Sequence, residues 1–79
     1  MAVLNRVANV FGVVFGVDPG VVTKETVPDD IEKWDSLGHM KMVEELEKEF
    51  DLRFELDDMM EMVSVEQILE ILAARGVSD

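Results

Sequence analysis

The hydroxyl group of Ser36 is the side chain of this sequence best placed to do chemistry, because it stands where an acidic segment meets the start of a predicted helix. A serine there serves either as a helix cap or as a point of covalent attachment. The chain has no cysteine and a single histidine, which excludes a thiolate nucleophile, a disulfide framework and a histidine-pair metal centre. Any thiol chemistry must therefore come from an added group.

The run Trp34-Asp35-Ser36-Leu37-Gly38-His39-Met40, followed by Val43, Leu46 and Phe50, resembles the acyl carrier proteins, whose Asp-Ser-Leu serine carries a 4′-phosphopantetheine arm. The resemblance extends from Trp34 to Leu72. It implies that Ser36 bears the arm covalently, that Asp35, Leu37 and Gly38 belong to the site around it, and that the chain carries acyl thioesters without catalysing a reaction. Asp35 also belongs, by resemblance, to the surface that a phosphopantetheinyl transferase reads.

The start of a helix gives a physical reason for an anion at Ser36. Unsatisfied backbone N–H groups and the positive end of the helix dipole favour negative charge there, and Gly38 is expected to leave room beside it. His39 is expected either to approach that phosphate or to be an exposed histidine with no special role.

Length and charge restrict the possible partners. The 79 residues make one small domain, 1–79, and a deep internal active site is not expected. The formal charge of −11 argues against binding nucleic acid or anionic lipid and favours basic protein surfaces. The N-terminus has neither a cluster of basic residues nor a long apolar run, so we expect a cytoplasmic protein without membrane insertion. We also expect a monomer.

The apolar pattern predicts an all-α fold. Residues 3–16 form the first helix, with Gly12 inside it and Asp18-Pro19-Gly20 as its stop signal. Its apolar stripe comprises Val3, Leu4, Val7, Val10, Phe11, Val14 and Phe15. Residues 17–35 read as a long loop pinned by its own apolar side chains, which are Val21, Val22, Val27, Ile31 and Trp34.

Helix two is predicted from Ser36 to Phe50, capped by Asp35 or Ser36. Its expected core-facing residues are Leu37, Met40, Val43, Leu46 and Phe50, and Glu44 and Lys48 are spaced to pair on its charged face.

The last third of the chain predicts an extended segment and two further helices. Residues 52–56 should form an extended loop that buries Phe54, residues 57–62 a short helical turn, and Ser64 with Gln67 a capping box that opens the final helix. Arg75 and Gly76 mark its end. The expected fold is a four-helix bundle of three main helices and a short third one, with a long loop between helices one and two.

The resemblance also implies two sets of binding residues. Partner enzymes would dock on Leu37, Met40, Lys41, Glu44, Glu45, Glu47, Lys48 and Glu61. An acyl chain would lie in a cleft lined by Val43, Leu46, Phe54, Met59, Met62, Ile68 and Ile71. From the residues alone, ordinary packing in the core is the preferred explanation of the methionines. The implied partners are a phosphopantetheinyl transferase, an acyl-loading ligase or transacylase, and synthases or acyltransferases with basic docking surfaces.

Two departures from the fatty-acid synthesis pattern indicate a specialised pathway. Lys41 stands at a commonly acidic position, and Gly38-His39 replaces a more polar pair. Peptidyl carriers show a Gly-Gly-His-Ser-Leu run, so the Asp-Ser-Leu form favours fatty-acyl, polyketide or other acyl cargo over aminoacyl cargo.

Other classes of function remain as alternatives. An unmodified acidic interaction module or structural subunit would use Ser36 only as a helix cap. An enzyme would need a base, nucleophile and oxyanion site that the sequence does not offer. The twelve-residue EF-hand spacing is absent, so no dedicated metal site is expected.

Overall fold

The computed structural model describes residues 2–77; Met1 and residues 78–79 of the predicted domain lie outside the described residues. The described part of the chain contains four α-helices and no strand, which confirms the predicted all-α class. The helices are α1 (Ala2–Phe15), α2 (Ser36–Phe50), α3 (Leu56–Met60) and α4 (Val65–Ala74). Within the described residues, no helix combines the length and the apolar character needed to cross a bilayer.

Helix α1 packs on α2 through its apolar face. Val7 and Phe11 are fully buried, and Val3, Ala8, Val10 and Phe15 are nearly so. The helix ends at Phe15, and Gly16 after it has a left-handed φ of 72°, so the stop signal lies before the predicted Asp18-Pro19-Gly20. Gly12 allows the chain to fold back: a Cβ there would lie 3.1 Å from both Pro19 Cγ and the Val17 carbonyl oxygen.

The long loop between α1 and α2 contributes buried side chains to the core. Two 3-10 turns, Pro19–Val21 and Pro28–Asp30, divide it. Val22, Ile31 and Trp34 are buried as predicted. Val21 is 63% exposed, so the prediction that it helps to hold the loop on the core was wrong.

The loop is also tied to the last helix. The carbonyl oxygens of Lys24 and Thr26 accept hydrogen bonds from the N–H groups of Glu66 and Val65, at 3.0 and 2.9 Å. Because the first N–H groups of a helix have no partner within it, these bonds complete the start of α4. Ser64 supplies a further cap by accepting from the N–H of Gln67 at 3.1 Å.

The predicted core side of α2 is partly wrong. Leu37 is 67% exposed and Met40 49% exposed, whereas Met42, which the pattern missed, is fully buried. Val43 and Leu46 face the core as expected. The face that packs inward therefore begins at Gly38, one position after Leu37, and turns Leu37 and Met40 outward.

The chain between α2 and α4 follows the predicted order. Asp51, in the left-handed conformation, ends α2, and Phe54 is buried in the extended segment that follows. Helix α3 occupies Leu56–Met60. It starts one residue earlier and ends two residues earlier than the helical turn predicted at residues 57–62. Helix α4 ends at Ala74, with Gly76 at a φ of 90° just beyond.

Candidate functional site

Ser36 is the first residue of α2 and its side chain is exposed. The helix cap is Asp35, whose carboxylate Oδ1 accepts a hydrogen bond from the N–H of Gly38 at 2.8 Å. Since Asp35 satisfies the capping role, the Ser36 hydroxyl is not used as the cap. The structure thus decides between the two capping residues that the sequence left open.

Backbone donors remain at this helix start. His39 N–H bonds to the Asp35 carbonyl oxygen at 2.7 Å, and among the described residues no acceptor is found for the N–H groups of Ser36 and Leu37. Orphan N–H groups at a helix start favour an anionic group such as a phosphate. The arrangement suits a phosphodiester on the Ser36 oxygen.

Gly38 faces the interior of the protein and does not make room beside Ser36 as the sequence suggested. A Cβ at this position would lie 2.0 Å from the Lys33 carbonyl oxygen and 3.0 Å from Phe15 Cε1. The space that Gly38 leaves is taken by the backbone of the preceding loop. Its contribution to the site is to let that loop, and hence Asp35, pack closely on the first turn of α2.

His39 fits neither sequence-based expectation, because the protein uses both of its ring nitrogens. Its Nδ1 lies 2.8 Å from Trp34 Nε1, and its Nε2 lies 2.8 Å from the Met59 carbonyl oxygen. The ring planes of Trp34 and His39 lie within 8° of each other. His39 is therefore a partly buried link between the loop before Ser36 and helix α3, and not an exposed histidine or a phosphate contact.

An open groove of about 710 Å³ lies beside Ser36, between the start of α2 and helix α3. Most of its lining is apolar and four of its residues are methionines. The residues are Pro28, Trp34, Asp35, Ser36, His39, Met40, Leu56, Met59, Met60, Met62 and Val63. A flexible, largely uncharged arm attached to Ser36 would meet this groove first.

The predicted acyl-cleft residues divide between this groove and the core. Met59 and Met62 line the groove. Val43, Leu46, Phe54, Ile68 and Ile71 are core residues, between 0 and 9% exposed, and do not line it. The groove instead uses Leu56, Met60 and Val63, which the sequence analysis missed because residues 56–63 are too few to show a helical period.

The predicted docking residues lie mostly on the outer surface. Leu37, Met40, Lys41, Glu44, Lys48 and Glu61 are exposed, and Glu45 and Glu47 are half-buried. Lys48 pairs with Glu45 at 3.5 Å, not with Glu44 as the spacing suggested. Glu47 is engaged internally, because its Oε2 accepts a hydrogen bond from the N–H of Phe54 at 2.8 Å.

Apolar side chains surround the groove at the surface. Leu56 is 69%, Met60 67% and Val63 55% exposed, and with Met40 they form an exposed apolar rim of the groove. Leu37, which follows Ser36, is exposed as well but does not line the groove. Exposed apolar groups gathered at one place are typical of a surface that meets another molecule. We call Met40, Leu56, Met60 and Val63 the groove rim.

Comparison with known proteins identifies the class of site. Residues 5–72 match the family model described as the phosphopantetheine attachment site. The chain is also 36% identical over 73 residues to the non-reducing polyketide synthase pkdA of Emericella nidulans. That alignment covers 91% of this chain and 3% of the synthase, so the chain spans only a small part of this relative.

The match includes the exposed serine at the start of α2, the cap beside it and the groove they adjoin. Members of this family are carriers that hold 4′-phosphopantetheine covalently. The chain belongs to the phosphopantetheine attachment family and is an acyl carrier protein.

Proposed function

We propose that Ser36 is the residue that carries the 4′-phosphopantetheine arm. The observation that supports this assignment best is the arrangement at the start of α2, where Asp35 caps the helix and the exposed Ser36 hydroxyl is left for another role. The alternative function, an unmodified interaction module, explained Ser36 as the helix cap, and Asp35 fills that role instead.

The surroundings of Ser36 fit the group. The N–H groups of Ser36 and Leu37 can donate to a phosphate oxygen, and the apolar groove can take the chain that follows it. Attachment would form a bond between Ser36 Oγ and the phosphorus of the coenzyme A arm, release adenosine 3′,5′-bisphosphate, and pass the hydroxyl proton to a base of the transferase. When bound, the arm supplies a thiol that holds acyl groups as thioesters.

The cargo we propose is an acyl group of polyketide or related specialised biosynthesis. The likeness to a polyketide synthase and the apolar groove support this choice. The proposed partners are a phosphopantetheinyl transferase, an acyl-loading ligase or transacylase, and a synthase or acyltransferase with a basic docking surface. The acidic charge of −11 supports basic partners, and we propose that the carrier works as a cytoplasmic monomer.

Attachment is tested by incubating the protein with coenzyme A, magnesium and a broad-specificity phosphopantetheinyl transferase and measuring its intact mass. We expect the wild-type protein to gain the mass of one arm and Ser36→Ala to gain none. Ser64→Ala is the matched control, because Ser64 caps α4 and should not affect modification. A wild-type protein that gains no mass, or a Ser36→Ala variant that still gains an arm, would reject the assignment.

A further inference from the structure

We propose that His39 is a positioning residue whose ring holds helix α3 at the distance from Ser36 that forms the groove. Trp34, His39 and Met59, the three residues of this link, all line the groove. The proposal for α3 depends on the geometry alone, whereas its consequence for the arm rests on the proposed attachment at Ser36.

The direction of both hydrogen bonds follows from the chemistry of the indole. Trp34 Nε1 is a donor only, so His39 Nδ1 must accept its proton across the 2.8 Å separation. The proton of the neutral ring is then on Nε2, which donates to the Met59 carbonyl oxygen at 2.8 Å. With both nitrogens engaged, the ring is fixed in position and in tautomer.

One end of the link is anchored in the core. Trp34 is 5% exposed, and its ring centroid lies 5.0 Å from that of Phe11 and 6.0 Å from that of Phe15. These aromatic contacts fix the indole against α1. Because the Trp34 side chain is fixed in the core, its hydrogen bond also fixes the position of the His39 ring relative to the core.

The other end is a weak element that needs tethers. Helix α3 has five residues, none of them buried, and so short a helix is not stable by its own hydrogen bonds. The Arg75 guanidinium pairs with Asp58 on one side, and Met62, just after the helix, is fully buried. His39 supplies the tether on the side that faces Ser36.

The position of α3 sets the shape of the groove. Leu56, Met59 and Met60 form its wall on the α3 side, and Ser36 and Met40 form the wall on the α2 side. His39 connects the two walls directly. Loss of its bonds should leave α3 held on one side only and change the groove without altering Ser36 itself.

The experiment measures amide hydrogen exchange in His39→Phe and Trp34→Phe. The first variant keeps a ring but removes both nitrogens; the second keeps an aromatic side chain in the core but removes the donor. We expect exchange at the amides of Met59, in α3, and Glu61, which caps its end, to rise on the order of tenfold, the equivalent of one hydrogen bond, while the amides of α4 stay near wild type. The double variant should exchange no faster than the stronger single variant, because either change already breaks the link.

The result that would overturn the proposal is α3 exchange equal to wild type in both variants, or a rise at α3 matched by an equal rise at α4. The latter would indicate general destabilisation and no special role for His39. Because Trp34→Phe conserves most of the packing, it keeps the test decisive if His39→Phe does not fold.

The consequence for the arm is measured separately on the octanoylated, modified protein. We expect hydroxylamine to cleave the thioester faster in His39→Phe than in wild type, since the altered groove shields it less. Equal cleavage rates, with faster α3 exchange, would reject the effect on the arm and keep the role in positioning α3. If neither the wild-type protein nor the variants accept an arm, the proposed function is rejected, and the result for α3 still stands.

Discussion

At the scale of single residues, the neighbours of Ser36 each have a structural role. Asp35 takes the helix cap, Gly38 takes the close contact with the loop, and His39 takes the link to α3. Ser36 has none of these tasks and remains exposed at the helix start. The modification that we propose at Ser36 should therefore cost the fold little, because its neighbours bear the structural roles.

Gly38 gives the sharpest residue-scale prediction. Gly38→Ala should lower the free energy of unfolding by about 1–3 kcal/mol, the usual cost of forcing an extra group into a packed region. The reason is the Lys33 carbonyl oxygen, which lies 2.0 Å from the position of the new Cβ and belongs to backbone that cannot rotate away. The gain of helix propensity, about 1 kcal/mol at most, offsets only part of that cost.

Urea denaturation measures the effect, with Gly12→Ala as the matched control in α1. The nearest atoms there are 3.1 Å away, so the control should lose less stability. A Gly38→Ala variant as stable as wild type would contradict the close packing described for the first turn of α2.

At the scale of secondary structure elements, α2 has an inner and an outer apolar face. Met42, Val43 and Leu46 pack inward, whereas Leu37 and Met40 point outward beside Ser36. Met40 joins residues of α3 and the segment after it to form the groove rim, and Leu37 is exposed next to Ser36. We therefore expect the rim to act in binding and to contribute little to stability.

Leu37→Ala and Met40→Ala test this division of α2. Each should leave the melting temperature near wild type, because 67% and 49% of these side chains are already exposed. Each should reduce kcat/KM of the phosphopantetheinyl transferase for the carrier, on the order of tenfold if the residue is an interface hot spot. Val21→Ala in the loop before α2 is the control, since Val21 is 63% exposed and lies neither in the groove nor beside the predicted docking residues Lys41, Glu44 and Glu45.

Unchanged kinetics with both variants would exclude the outer face of α2 at Leu37 and Met40 from the transferase interface. A large fall in melting temperature would instead show that Leu37 and Met40 contribute to the core.

At the scale of the whole molecule, charge dominates. A formal charge of −11 is carried by a particle with extents of 29 × 26 × 20 Å. Ion pairs such as Arg6 with Glu49, at 2.7 Å, offset part of this charge at the surface. Carboxylates this close together repel one another in the folded state more than in the expanded chain.

Salt should therefore have opposite effects on stability and on binding. Raising NaCl from about 0.01 to 0.1 M shortens the screening length from about 30 to 10 Å. We expect the free energy of unfolding to rise by about 1 kcal/mol, or about 4–8 °C in melting temperature for a domain of this size. The same change should slow association with a basic partner enzyme.

Thermal unfolding followed by circular dichroism and stopped-flow association measure the two effects. Potassium fluoride at equal ionic strength is the control for specific effects of chloride. A melting temperature that is flat or falls with salt would show that self-repulsion is not a significant term in this fold.

The sequence by itself determined the all-α class, the approximate bounds of the helices and the position of the candidate serine. These features depend on local information: the apolar period, the residues at helix starts and the order of residues around Ser36. Helix α2 was predicted with its observed bounds, and Phe54 was correctly placed inside the protein.

Only the tertiary structure decided which side of each element faces inward and what lies beside Ser36. The rotation of α2 depends on the contact between Gly38 and the Lys33 carbonyl oxygen, and a glycine contributes nothing to an apolar pattern. The link through His39 joins residues 34, 39 and 59, which no local rule connects. Such contacts between distant segments form only when the whole chain packs, which is why the sequence could indicate a candidate serine but not the groove beside it.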